Sequence, residues 1–289
     1  MRARNWQREA RPNSILSQHR KRITAQFEAP SFVWAFVRPP IYAAVLSPLG
    51  ALSPRFAFAV WELLNVAAGF GFVFLLEPSP FGMVMTALFV PLRLSFRQGQ
   101  DMPLWLLFTG LAMALLRRNR PFSAGLVFAL CGIKFHLFLL VPVFLVARRA
   151  GKMAAGICTG GVLLVLGCFA LYGRNWLSQY YACIIENQKH LSSAGSFLTL
   201  VKSQWSPVAV CACAGALCYV VCRHVRSTEA ALSSGVALSL LVAPRLYLYD
   251  AAVALPALLL IFRQLLHSPE CERTRPQSLS SETLTSVLN

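Results

Sequence analysis

The chain alternates between long apolar segments and short polar or basic connections. The apolar segments run approximately over residues 56–76, 81–92, 103–116, 121–133, 135–147, 153–172, 205–222, 230–243 and 251–266. Residues 153–172 and 205–222 contain no Asp, Glu, Lys, Arg or His, and a helix needs about 17–25 such residues to cross a bilayer core. The pattern predicts an all-α, multi-pass membrane protein.

Several of the segments are too short to cross a bilayer. Residues 103–116 would rise only about 21 Å as a helix, whereas the hydrocarbon core is about 30 Å thick. Helix ends inside a membrane are tolerated where protein or water satisfies their backbone groups. We therefore expect a helical bundle in which short, half-depth helices surround a cavity on the outer face.

The pattern divides the chain into three regions. Residues 1–54 form a basic tail and a Pro-rich stretch that we expect to lie at the membrane interface, since its prolines prevent one continuous helix. Residues 55–266 form the transmembrane helical domain. Residues 267–289 are rich in Ser, Thr and Glu and are predicted to be disordered.

Composition narrows the class of protein. Hydrophobic residues make up 56% of the chain and charged residues 13%, whereas soluble domains carry roughly 25% charged residues. This excludes a secreted disulfide framework, a disordered polymer and a free cytosolic enzyme. The net charge of +16 comes from scattered bases without interleaved aromatics, which indicates membrane lipids or phosphates as partners and no nucleic acid. The nine cysteines lack paired spacing, and we predict no metal site.

Basic loops indicate how the chain is threaded, because short basic loops stay cytoplasmic. The tightest clusters are Arg117-Arg118-Asn119-Arg120, Arg148-Arg149-Ala150-Gly151-Lys152 and Arg223-His224-Val225-Arg226. If the first two are inside, residues 121–147 form a hairpin with Lys134 and His136 near its outer apex, and Asp101 and Asp250 share that outer face. The alternative is one tilted span of about 40 Å, which sends Asp250 to the opposite face. We favour the hairpin.

Ionisable groups in a membrane region mark sites by default. Gly99-Gln100-Asp101 precedes an apolar segment, so Gln100 and Asp101 are candidate substrate ligands; the alternative is a helix N-cap. Lys134 needs a counter-ion, which a lipid-linked phosphate at the outer face would supply, unless its ammonium snorkels to the headgroups. His136 is a weaker candidate, since a packing role explains it as well.

Two further groups of residues stand out. Pro244 breaks the helix before Arg245, Tyr247, Tyr249 and Asp250, so these can gather at its end, although an aromatic belt with a structural ion pair is an alternative. Arg38 precedes two prolines and could bind phosphate bidentately or contact lipid headgroups.

Other motifs are uninformative or absent. Glu62 and Asn65 lie one helical turn apart, which predicts an inter-helix hydrogen-bonding pair. The sequence contains no P-loop, dinucleotide fingerprint, zinc-protease motif or nucleophile elbow, so no soluble cofactor is predicted.

Together the motifs resemble, in order and spacing, the bacterial membrane glycosyltransferases of family 87 (DUF2029-type), polyprenyl-phosphate-sugar-dependent enzymes of the GT-C class. The resemblance covers about residues 20–266. The motifs that carry it are Phe36-Val37-Arg38-Pro39-Pro40, Leu46-Ser47-Pro48-Leu49, Leu63-Leu64-Asn65, Gly99-Gln100-Asp101, Arg117-Arg118-Asn119-Arg120-Pro121, Ala124-Gly125-Leu126, Lys134-Phe135-His136 and Pro244-Arg245-Leu246-Tyr247-Leu248-Tyr249-Asp250.

The resemblance implies a GT-C-like hexosyltransferase fold in the bacterial cytoplasmic (inner) membrane. It also implies transfer of a mannose-like hexose or a pentose from a polyprenyl-phosphate donor to a lipid or glycan acceptor on the extracytoplasmic face. The family's catalytic carboxylate lies in the first outer loop after the first transmembrane helix. We expect that helix to be missing upstream of this chain, and neither Glu9 nor Glu28 stands in a matching context.

Roles follow for the candidate residues. A phosphate leaving group needs cations, for which Arg38, Lys134 and Arg245 are candidates. Asp101 and Asp250 are the candidate catalytic carboxylates, either taking the acceptor proton or orienting sugar hydroxyls. The candidate substrate ligands are Gln100, His136, Tyr247 and Tyr249. Two other classes of function remain open: a lipid or glycolipid transporter, and a catalytically inactive relative or subunit.

Overall fold

A computed structural model describes residues 38–190, 207–244 and 246–266, and this part of the chain is all-α. Most of the basic tail, the terminal residues 267–289 and Arg245 lie outside it. Within the ranges that the structure describes, twelve α-helices follow one another: α1 Pro40–Leu46, α2 Pro54–Leu76, α3 Pro80–Leu88, α4 Val90–Arg97, α5 Met102–Arg117, α6 Pro121–Ala129, α7 Val141–Ala147, α8 Gly151–Tyr172, α9 Trp176–His190, α10 Pro207–His224, α11 Thr228–Val242 and α12 Leu255–Leu266. Three 3-10 helices, Ser47–Ala51, Leu130–Leu137 and Leu248–Ala254, join some of them.

Proline sets where most of these helices begin. Each helix from α1 to α7 carries a proline at its first or second position, where the missing N–H is not needed and the fixed φ suits the helix. The predicted apolar segment 81–92 is interrupted near Pro91: Phe89 is extended (φ −68°, ψ 104°), and α4 begins at Val90 with Pro91 as its second residue. Helix α4 then continues to Arg97.

Among the described residues, three helices are long and apolar enough to cross a membrane: α2 with 23 residues, α8 with 22 and α10 with 18. In their most apolar windows only 33%, 17% and 17% of the residues are buried inside the protein, which leaves broad apolar faces for lipid. The short helices predicted from the sequence are present: α6 has 9 residues and α7 has 7, lengths of about 14 Å and 10 Å.

Residues 121–147 form the predicted hairpin. Helix α6 leads into the 3-10 helix Leu130–Leu137, the backbone kinks at Lys134 (φ −112°, ψ 44°), and α7 returns. At the open end Arg117 Nε lies 2.6 Å from Glu229 Oε2, and Arg148 Nη2 donates to Thr228 Oγ1 at 3.2 Å. Both basic clusters therefore meet the start of α11 at one end of the bundle, and the alternative of a single tilted span is wrong.

Helices α6 and α8 pack backbone against backbone. A Cβ on Gly156 would clash with the carbonyl oxygen of Phe122, and a Cβ on Gly125 would clash with that of Met153. Gly160 faces Ala129 one turn further along. Small residues four apart on both helices thus permit the close approach, which fixes the arm of the hairpin that carries Lys134.

Candidate active site

Asp101 is contacted by three side chains from two distant parts of the chain. Its carboxylate lies 2.9 Å from Lys134 Nζ and 3.1 Å from Arg38 Nη2, and it accepts a hydrogen bond from Tyr42 Oη at 2.9 Å. The residue occupies the N-cap position of α5 but makes no side-chain capping bond. The carboxylate is therefore used for long-range contacts, and the simple N-cap interpretation is wrong.

Lys134 lies between two carboxylates. Its Nζ is 2.9 Å from Asp101 Oδ1 and 3.4 Å from Asp250 Oδ1, and it donates to Met102 Sδ at 3.1 Å. The side chain is 3% exposed. The ammonium therefore does not snorkel to the membrane surface, and its counter-ions come from the protein itself.

Asp250 is held by the turn that precedes α12. Its Oδ2 accepts the backbone N–H of Tyr247 at 3.1 Å, and its own N–H donates to the Tyr247 carbonyl at 2.9 Å. The rings of Tyr247 and Tyr249 stack with centroids 5.2 Å apart, and Lys134 Nζ lies 5.5 Å from the centroid of Tyr249. The predicted gathering of residues after Pro244 is present for the tyrosines and Asp250.

The two carboxyls lie outside the three candidate spans and differ in their electrostatics. Burial raises the pKa of Asp101, but the Lys134 ammonium and the Arg38 guanidinium outweigh it and hold this pKa below its usual value. Burial raises the pKa of Asp250 above its usual value, because Lys134 at 3.4 Å offsets the loss of water only in part. The carboxylate of Asp101 is thus the more strongly stabilised anion.

The cations differ in exposure. The Arg38 side chain is 21% exposed, against 3% for Lys134, so an incoming anion reaches Arg38 more readily. Arg245, the third predicted cation, lies outside the described residues. Within the described ranges no group of three or more His, Cys, Asp and Glu side chains is arranged to hold a metal ion.

Gln100 and His136 lie beside the cluster along the chain. Gln100 is half-buried, and its backbone N–H donates to the Ser95 carbonyl at 2.8 Å. His136 is also half-buried and lies edge-on to Phe135, with ring centroids 6.0 Å apart. The structure therefore places both on the segments that carry Asp101 and Lys134.

Sequence reasoning missed two contributors. Tyr42 lies in the first turn of α1, four residues after Arg38, and its closeness along the chain to that arginine was the available signal. Glu62 was assigned to a hydrogen-bonding pair with Asn65, and this is wrong: Asn65 Nδ2 donates to the carbonyl of Trp61 in its own helix at 3.0 Å. Glu62 Oε1 is buried and has no hydrogen-bond partner among the described residues.

The chain matches a known protein family over most of its length. The family model for glycosyltransferase family 87 matches residues 36–266, a range that contains every segment of the site. No curated protein and no solved structure matches the chain.

Proposed function

Because the chain belongs to glycosyltransferase family 87, we propose that it transfers a sugar from a polyprenyl-phosphate donor to a lipid or glycan acceptor. The proposed location is the extracytoplasmic face of a bacterial cytoplasmic membrane, which the chain crosses several times. The sugar is a mannose-like hexose or a pentose. The family supports membrane glycosyl transfer in general; the donor, the sugar and the membrane face are the proposal.

One observation carries this proposal: two cations and two carboxylates from four distant parts of an apolar chain converge in one buried cluster. Arg38, Asp101, Lys134 and Asp250 form it. Ionisable groups are expensive to bury, so a cluster of four at one end of a helical bundle indicates a site for a charged substrate. A polyprenyl phosphate supplies both the charge and an apolar tail.

In this proposal the cations have different roles toward the phosphate. As the glycosidic bond breaks, the phosphate oxygen gains negative charge that needs positive partners. Arg38 is the more exposed cation of the cluster, and its guanidinium can grip a phosphate through two N–H groups. Arg245 supplies a further contact in this proposal. Lys134, already enclosed by carboxylates, stabilises the anion through its field and holds Asp101 and Asp250 in position.

The sugar is bound beside the cations. The stacked rings of Tyr247 and Tyr249 offer a flat surface for the apolar face of a sugar, and Tyr247 is 40% exposed. Asp101 and Asp250 orient sugar hydroxyls, with Gln100 and His136 as additional hydrogen-bonding ligands. No metal or soluble cofactor takes part in this scheme.

Arg38→Ala tests the phosphate contact. The purified protein is reconstituted in liposomes with radiolabelled polyprenyl-phosphate mannose or polyprenyl-phosphate pentose, and a bacterial lipid extract provides acceptors. Arg38→Ala is expected to lower transfer about 10²-fold, as when one donor to a developing anion is removed, and to weaken binding of polyprenyl phosphate.

The matched control is Arg117→Ala. It also removes an arginine from an ion pair, with Glu229, but at the opposite end of the bundle. We expect this variant to transfer sugar at nearly the wild-type rate. Equal loss in both variants, or full activity of Arg38→Ala, contradicts the assigned phosphate site.

A further inference from the structure

The carboxylates of the cluster are already engaged. Asp101 faces two cations and a tyrosine hydroxyl, and Asp250 faces Lys134 and a backbone N–H. Asp101 is a poor proton acceptor because each of its donors stabilises its ionised form. Burial raises the pKa of Asp250, but its two oxygens are already in contact with Lys134 and the Tyr247 N–H. The described site therefore orients its substrate well but offers a weak base in Asp101.

Glu62 differs from Asp101 in its hydrogen bonding. It lies in the third turn of α2, on the face that continues through the buried residues Asn65, Gly69 and Phe72. Its Oε1 is buried and has no hydrogen-bond partner among the described residues, while the residue as a whole is partly exposed and so can be reached. A buried carboxylate oxygen that has no hydrogen-bond partner costs free energy, and a hydroxyl bound at Glu62 would supply that partner.

The Gly99 loop brings Glu62 to the site. Trp61 Nε1 donates to the Gly99 carbonyl at 2.9 Å, which fastens the loop to α2. A Cβ added to Gly99 would lie 3.0 Å from Phe58 Cε2 and 3.6 Å from Glu62 Oε1, and the residue has φ +62°. The positive φ and the nearby Phe58 ring explain the glycine at this position, and Glu62 Oε1 lies at ordinary van der Waals distance from a Cβ placed there. Asp101 follows two residues later, with its Cα at most about 7 Å from that of Gly99.

We propose that Glu62 is a catalytic residue that binds the acceptor hydroxyl and takes its proton; this inference rests on the proposed function. The hydroxyl oxygen attacks the anomeric carbon of the donor sugar and forms the new C–O bond. The bond from the anomeric carbon to the phosphate oxygen breaks, and its electron pair stays on the phosphate. The hydroxyl proton moves to the Glu62 carboxylate and is then released to water.

Glu62→Gln tests the proposal in the reconstituted assay described above. The amide keeps the shape of the side chain but cannot accept the proton, so transfer should fall about 10²-fold or more. Binding of polyprenyl phosphate should stay within about twofold of wild type, the reverse of Arg38→Ala. Since the change neutralises a carboxylate with a partnerless oxygen, the variant should unfold at the same or a higher temperature than wild type.

A second variant separates catalysis from structure. Glu62→Gly removes the carboxylate, and added sodium formate should restore transfer at least tenfold if a carboxylate is needed at that place. The control is Glu77→Gln, which makes the same charge change at the far end of α2, where the side chain lies 3.6 Å from Arg263. It should transfer at the wild-type rate without response to formate.

The outcomes separate the two proposals. A wild type that transfers neither labelled sugar and does not bind polyprenyl phosphate overturns the proposed function, and the inference with it. An active wild type together with an equally active Glu62→Gln overturns the inference alone. Loss of activity in Glu62→Gly that formate does not rescue also overturns the role as proton acceptor.

Discussion

Individual charged residues show which contacts can be predicted from the local sequence. A lysine between Ile133 and Phe135 must have a counter-ion, and this much the sequence predicts. Its partners, Asp101 and Asp250, are respectively 33 and 116 positions away. No local pattern relates such distant groups, so the sequence could name the three residues but could not show that Lys134 is buried between two carboxylates.

The two aspartates should respond differently to neutralisation. Asp101→Asn removes an anion that two cations stabilise, and we expect a loss of about 3 kcal/mol of stability. Asp250→Asn resembles the protonated form that burial already favours, so its effect should stay below about 1 kcal/mol. Thermal unfolding of the detergent-solubilised protein at neutral pH, followed by tryptophan fluorescence, measures both.

Acidification provides an independent check on this pair. The stability contributed by Asp101 is present above the ordinary pKa of an aspartate and is lost as the pH falls through its lowered folded-state pKa. The difference between wild type and Asp101→Asn should therefore shrink in acid. Equal destabilisation by both substitutions at neutral pH would contradict the electrostatic difference between the two carboxyls.

At the scale of helices, apolar runs and prolines predicted most of the elements. The apolar segments match the long helices to within a few residues, and the prolines mark the starts of the short ones. The pattern could not show which glycines lie at contacts between helices. Gly156 and Gly161 look alike in sequence, yet a Cβ on Gly156 meets the Phe122 carbonyl and a Cβ on Gly161 meets nothing within 4 Å.

These two glycines form a matched pair for mutation. Gly156→Ala should force α6 and α8 apart and destabilise the protein by about 1–3 kcal/mol. Gly161→Ala should be neutral or slightly stabilising, since alanine favours a helix over glycine by about 1 kcal/mol. Unfolding temperatures in detergent give the comparison. If the two variants unfold alike, the helices do not pack through Gly156.

Displacement of α6 in Gly156→Ala should also disturb the candidate active site. Helix α6 leads directly into the 3-10 helix that carries Lys134, so Gly156→Ala should reduce sugar transfer as well as stability, whereas Gly161→Ala should leave transfer unchanged. This outcome would show that helix packing remote from the cluster controls the position of its central cation.

At the scale of the whole molecule, charge separates the two ends of the bundle. One end gathers the cluster around Lys134, and the other gathers the basic loops, with Arg117 and Arg148 bound to residues at the start of α11. The loop charges were enough to predict this separation, because a hairpin over residues 121–147 is the arrangement that keeps both basic clusters together. The charges alone could not decide which outer loops touch.

The same separation of charge predicts which loops lie on each side of the membrane. In a background with the nine cysteines replaced by alanine, single cysteines at Gln98 and Tyr247 should react with a membrane-impermeant maleimide in intact spheroplasts. Cysteines at Arg118 and Lys152 should react only after the membrane is opened, because positively charged short loops remain in the cytoplasm. All four positions are solvent-exposed in the isolated protein, so a difference in labelling reports the membrane. Labelling of Gln98 and Tyr247 from opposite faces would contradict a cluster in which Asp101 and Asp250 share one lysine, and with it the donor site at the outer surface.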